Sequence, residues 1–207
     1  MAAGLVIGLV ALLVSVGLVA VAGGARFTAQ PGYLTLAYGA LWLAAHFLVA
    51  VFEEFLFRGY LFTTIADGAG KWWAVGVTST VFAVAHAGNP GENAVGLLNV
   101  VLVGLEFGLC VLRTGSLWFA VGLHHGWNWA QTFLVGASNS GHPPVGSLLV
   151  THTQGHPLVS GGTVGVEGSV MAWAGLALMA LAVHVRWPID RFRPHRSETP
   201  VPPPATA

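Results

Sequence analysis

The sequence predicts an all-α fold, a polytopic membrane helix bundle of about six transmembrane helices with a polar site between them. Three observations predict it. Residues of the AVILMFWYC set make up 55% of the 207-residue chain and charged residues only 8%, where a soluble domain carries roughly 25% charged residues. The mean hydropathy is +0.72. The apolar residues also fall into separate runs at 4–22, 34–56, 72–87, 94–112, 117–135 and 169–187, each near the ~20 residues that cross a bilayer core as a helix. The same composition excludes a disordered chain, a nucleic-acid-binding basic domain and a disulfide scaffold. Lys+Arg and Asp+Glu balance at 8 each, and Cys110 has no second cysteine to bridge.

The first run has no positive segment before it and is longer than a signal-peptide core, so it reads as a membrane helix that ends at Gly23-Gly24. The second follows Pro31-Gly32 and stays apolar as far as Ile65, long enough to tilt or protrude. The third stops at Gly88-Asn89-Pro90. Arg113-Thr114-Gly115-Ser116 separates the fourth from the fifth, with Ser116 as N-cap. The sixth ends at Trp187-Pro188. Lys71, Arg113, Arg186, Arg191, Arg193 and Arg196 all fall on the cytoplasmic side if the N-terminus does, against Arg26 alone on the other. Both termini are therefore expected in the cytoplasm. Residues 1–30 read as an N-terminal helix and loop, 31–188 as the core, and 189–207 as a proline-rich disordered tail. Residues 136–168 read as a long outer loop without Lys or Arg.

Charge inside lipid is costly, at least ~2.5–3.5 kcal/mol per group. The second run nevertheless carries Glu53, Glu54 and Arg58 among Phe52, Phe55, Leu56 and Phe57. Glu54 and Arg58 stand at i and i+4 and can neutralise each other. Glu53, about 100° around the helix, is left over, and a spare buried carboxylate is suited to exchanging a proton with water. The bland alternative is three interfacial anchors with snorkelling side chains. His86 closes the third run, and His124 and Asn128 share a face of the fifth. Together these supply parts for water activation and oxyanion stabilisation. His125 and His46 are expected to pack, with a place for His46 behind Glu53 as the lesser alternative. Glu106 is expected to pair with Arg113 or a histidine, and His142, His152 and His156 to be solvated. At ~1.5 Å per residue, His86 lies ~20 Å and His124 ~12 Å from the inner helix ends, so they meet only if a helix tilts, protrudes or breaks.

Glu53-Glu54-x-x-x-Arg58, Phe82-x-x-x-His86 and His124-x-x-x-Asn128, in that order on membrane helices, resemble the three motifs of the CPBP family. These are the CAAX-protease and bacteriocin-processing (Abi) intramembrane endopeptidases. The junctions Leu112–Trp118 and Gly161–Ser169 look family-typical, and the resemblance runs from about Phe47 to Val185. It implies a peptidase of a bacterial or archaeal cell membrane acting on a membrane-associated peptide, CAAX-like or of the bacteriocin type. Glu53 would be the general base with His86 assisting, His124 and Asn128 the oxyanion donors, and Glu54 with Arg58 the supports that hold Glu53. Six helices is short for the family, and Glu106 is foreign to its pattern. The family is commonly labelled metallo, and Glu53, His86 and His124 are the residues that would ligate a zinc. The chain has no His-Glu-x-x-His, however, and the expectation is catalysis without a metal.

Other classes leave marks that can be checked. A rhomboid-like serine protease needs Gly-x-Ser-Gly, and Gly136-Ala137-Ser138-Asn139 lacks the last glycine. A presenilin-like aspartyl protease needs two membrane aspartates, and Asp67 and Asp190 flank the runs. A proton-coupled carrier would also use buried carboxylates and histidines, often in an internal repeat, and none is visible. A non-catalytic immunity or scaffold protein of the same fold stays open.

Overall fold

In the computed structural model, which describes residues 1–193, every apolar run is helical. The helices are α1 (Ala2–Val21), α2 (Thr35–Glu54), α3 (Phe62–Ala69), α4 (Lys71–His86), α5 (Ala94–Thr114), α6 (Leu117–Trp129), α7 (Pro157–Ser160) and α8 (Ala172–Arg186). π-helical turns at Phe55–Leu61 join α2 to α3, and a second set, Ala130–Val135, extends α6. The chain is a membrane helix bundle. Ala2–Val21, Thr35–Ala69 and Ala94–Thr114 are long and apolar enough to cross a bilayer, and α8 is a shorter apolar helix. The 35 residues from Thr35 to Ala69 make a rod of about 50 Å against a hydrocarbon core of ~30 Å, so this rod must tilt or protrude.

Local signals set the boundaries. Asn93 caps α5 by accepting from the Val95 and Gly96 amides, and Gly115 ends it in the left-handed region at φ 65°. Ser116 takes the N-cap position of α6 as expected, but its side chain makes no capping bond. Thr114 Oγ1 accepts from the Ser116 amide instead, at 3.1 Å.

α1 packs against α6 and α8, and its Ala11 and Leu12 are wholly buried. The contact with α6 runs backbone to backbone. A Cβ at Gly4 would overlap Phe119 O and one at Gly8 would overlap Leu123 O, while Gly122 faces Met1 O and Gly126 faces Leu5 O. Without a hydrophobic force between helices in lipid, such close approach is what holds them together. A substitution at Gly122 tests this. Gly122→Val should lower stability by about 3 kcal/mol or more through overpacking. It should show as a fall in thermal midpoint in detergent, while Gly17→Val, with nothing within 4 Å, should leave the midpoint unchanged.

The bundle is all-α as expected, with one small two-stranded sheet added. β1 (Ala25–Ala29) pairs antiparallel with β2 (Leu149–Thr153), Phe27 opposite Thr151, and so staples the α1–α2 connection to the outer loop. The outer loop 136–168 is held by this pairing, since backbone groups that leave a helix must find partners, while its histidines His142, His152 and His156 stay exposed as expected. Residues 189–193 are docked rather than disordered. Asp190 pairs with Lys71 at 2.5 Å and Arg113 at 3.4 Å, the Arg191 and Phe192 amides donate to Leu112 O, and the Phe192 and Phe62 rings meet edge to face. The rest of the expected disordered tail, with Arg196, lies outside the described residues. Lys71, Arg113 and Arg191 thus gather at one end of the bundle, together with Met1.

Candidate active site

The site forms where α2 passes into its π-helical turns. Glu54 and Arg58 are fully buried there, Arg58 Nη1 lying 3.4 Å from Glu54 Oε1. Arg58 Nη2 donates to Gly104 O at 3.4 Å. Its guanidinium lies over the rings of Phe82 (4.2 Å to the centroid), Phe107 (5.4 Å) and Phe57 (5.7 Å), a cation–π enclosure that suits a planar, weakly hydrated cation.

Glu54 Oε1 has a second partner, His124 Nδ1 at 3.0 Å. A carboxylate oxygen only accepts, so Nδ1 carries the proton, and the opposite nitrogen, Nε2, faces Glu53 Oε2 at 3.8 Å. The Phe107 ring stacks on His124 at 5.3 Å. This corrects one expectation. Arg58 braces Glu54, and Glu54 holds His124 rather than Glu53, because neighbouring residues on a helix point about 100° apart: Glu54 reaches Nδ1 of His124 while Glu53 lies on the cavity side near Nε2. Glu53 turns to a cavity of about 300 Å³, and its side chain stays 21% exposed there. Its Oε2 has no hydrogen-bond partner among the described residues.

The same cavity is lined by His86, His124 and Asn128, so all four candidate catalytic residues share it. His86 Nδ1 donates to Phe82 O at 2.8 Å, which leaves Nε2 as a free acceptor. No hydrogen bond joins His86 to Glu53 among the described residues. The Asn128 amide has no hydrogen bond to the described residues either. The depth mismatch between His86 and His124 is met by an elongated cavity reaching from mid-helix to the outer loop, where Asn89 and His142 line it.

The other expectations divide. His46 also lines the cavity, and its Nε2 lies 2.8 Å from Thr132 Oγ1. His125 packs away from it, Nε2 on Leu43 O at 3.0 Å. Glu106 meets neither Arg113 nor a histidine; its neighbour is Cys110 Sγ at 3.7 Å, one turn away. His142 is exposed, as expected, but it stands at the cavity mouth and forms part of its wall. His152 meets Thr28 across the sheet at 3.0 Å, and His156 caps the Leu158 amide at 3.2 Å. Among the described residues no three His, Cys, Asp or Glu side chains come together in a group that could hold a metal. Glu53, His86 and His124 share a cavity, but as folded they do not fit a three-ligand zinc site.

Asn99 and Glu167 were missed. Asn99 Nδ2 donates to Glu167 O (2.6 Å) and Ser169 O (2.9 Å), and its Oδ1 accepts from Trp173 Nε1 (2.7 Å). A lone Asn in the apolar run of α5 had to find such partners, and that was its signal. Glu167 Oε2 accepts from the Ser140 amide (2.6 Å) and hydroxyl (3.3 Å). Glu167 lies outside the membrane-spanning helices, and burial raises its carboxyl to about 7 despite the Ser140 bonds.

Residues 35–130 match the family model described as Type II CAAX prenyl endopeptidase Rce1-like. Over those residues, 96 of the 207, the chain is similar to this Rce1-like family. No curated protein and no solved structure is matched. The Rce1-like stretch runs from the first residue of α2 to the start of the second π-helical turns, so it contains Glu53, Glu54, Arg58, His86, His124 and Asn128. α1, the outer loop with Glu167, and α8 lie beyond it.

Proposed function

We propose that the chain hydrolyses a peptide bond of a membrane-associated substrate, CAAX-like or of the bacteriocin type, with water activated by Glu53. The observation that carries this reading is the 3.8 Å approach of His124 Nε2 to a Glu53 Oε2 that makes no hydrogen bond among the described residues, on the wall of the shared cavity. Glu53 takes a proton from water as its oxygen attacks the scissile carbonyl, and His86, through its free Nε2, shares in the transfer. Asn128 and His124 donate to the oxyanion. Donation from Nε2 requires a proton there, and with Nδ1 donating to Glu54 the ring then carries positive charge, compensated by Glu53 and Glu54 on either side. The proton held by Glu53 passes to the leaving amine. The donor geometry favours this route without a metal, and the charged end of the bundle is cytoplasmic in this reading.

Purified protein, in detergent or liposomes, should cleave members of a labelled panel of lipidated and plain peptides, read by mass spectrometry. A chelator should leave the rate unchanged. A loss restored by added zinc would overturn the metal-free route, and no cleavage of any panel member would overturn the peptidase reading.

A further inference from the structure

The catalytic cavity has a second polar pole, far from the motif residues in sequence. At its outer end the wall is made by Glu167 and by the turn Asn139–His142. The turn is built to fixed geometry. Asn139 and His142 form an isolated bridge, and Ser140 adopts φ 48°, a left-handed conformation that non-glycine residues rarely take. That conformation aims both Ser140 donors at Glu167 Oε2. From the other side Asn99, itself braced by Trp173, holds the Glu167 backbone. Oε1 of the same carboxyl makes no hydrogen bond to any described residue, and Asn139 Nδ2 is buried without a partner.

Charge decides what this pole accepts. The cavity wall carries two carboxylates, Glu53 and Glu167, and no Lys or Arg. Arg58 lies behind Glu54 and is matched by it, and a His124 cation sits against Glu53, so Glu167 is the carboxylate left unmatched. A neutral peptide side chain gains little from the spare Glu167 oxygen, whereas a cation gains a charge-assisted hydrogen bond, about twice as strong as a neutral one. We infer that Glu167 is a specificity-determining residue that receives a lysine or arginine side chain of the peptide substrate at the outer end of the cavity. The inference rests on the peptidase reading above and names its substrate more closely.

The pole is also pH-dependent. Glu167 ionises near pH 7, so its hold on a cation strengthens as pH rises through that value and fades below it. The ionisable groups that act on it are His124 of α6 and Glu92 ahead of α5, with His142 on the turn sharing the cavity wall.

The test uses the full chain carrying Glu53→Gln, so that bound peptides persist, and fluorescent peptides in which one lysine is moved along the sequence, each compared with norleucine at the same place. Fluorescence anisotropy gives the two affinities. One position should favour lysine by about tenfold or more. Adding Glu167→Gln, which keeps an oxygen for Ser140 but removes the charge, should bring that ratio close to one. Should the double variant fail to fold, the lysine ratio of the single variant, measured across pH 7, serves instead; it should fall as the pH is lowered. Equal affinities at every position, a lysine preference that survives Glu167→Gln, or a ratio indifferent to pH would overturn the inference. Cleavage by the unsubstituted protein is scored separately. Cleavage with no lysine preference sinks this inference alone, and lysine-selective binding with no cleavage sinks the peptidase reading alone.

Discussion

Glu53→Gln is expected to lower peptide cleavage by about 10²–10⁴-fold, the range that a general base supplies, while the protein purifies and melts as before. The geometry separates the two effects. Glu53 Oε2 makes no hydrogen bond among the described residues and the side chain opens onto the cavity, so an amide of the same size breaks no hydrogen bond of the fold, and Glu54 still faces His124. It removes only the group that accepts the proton from water. His86→Ala and His124→Ala should each remove most of the cleavage in the same assay. The outcome also discriminates between classes of protein. A carrier would lose proton coupling instead, and a scaffold would be indifferent. Cleavage retained in Glu53→Gln would remove the proposed base.

Arg58→Ala acts on the opposite balance, and its expected effect is on stability, a loss of about 3–5 kcal/mol. Arg58 and Glu54 are both fully buried, and Glu54 Oε2 already lacks a partner. Deleting the guanidinium leaves a carboxylate in an apolar enclosure built from Phe57, Phe82 and Phe107 for a cation. Pairing Arg58→Met with Glu54→Gln should recover much of that loss, because no charge is then stranded. The double variant should still cleave poorly, since Gln at 54 no longer fixes His124 as the carboxylate does. A thermal midpoint that recovers while activity does not is the expected pattern. Equal midpoints for the single and double variants would contradict the account of the pair.

The helices were legible because each apolar run is bounded by strong local signals, such as Gly88-Asn89-Pro90 after α4 or Arg113–Ser116 between α5 and α6. The ion pair of Glu54 and Arg58 was legible for the same kind of reason, since i,i+4 spacing brings side chains together without reference to the rest of the fold. The partner of Glu54 was not. Whether a buried carboxylate serves the residue beside it or a histidine 70 positions later depends on which helix packs against that face. The π-helical turns that begin right after Glu54 and soon after Asn128 were equally invisible, since they are set by packing rather than by a sequence period. Glu167 and the inward fold of the outer loop depend on the pairing of β1 with β2, two short strands in which Phe27 stands opposite Thr151, 124 positions away along the chain and a neighbour in space.

The sequence by itself determined that the chain is a bundle of apolar helices, that charges inside it must be matched, and which side chains stood out as costly enough to need a reason. Each of these follows from local composition and the high free energy of a bare charge in hydrocarbon. Only the tertiary structure decided which of those side chains meet: His124 held by Glu54 and aimed at Glu53, His142 and Glu167 drawn in from the outer loop, and Glu106 left aside. Such encounters are fixed by the close approach of α1 and α6 at their glycines and by the strand pairing that folds the loop inward, long-range contacts that no local pattern encodes.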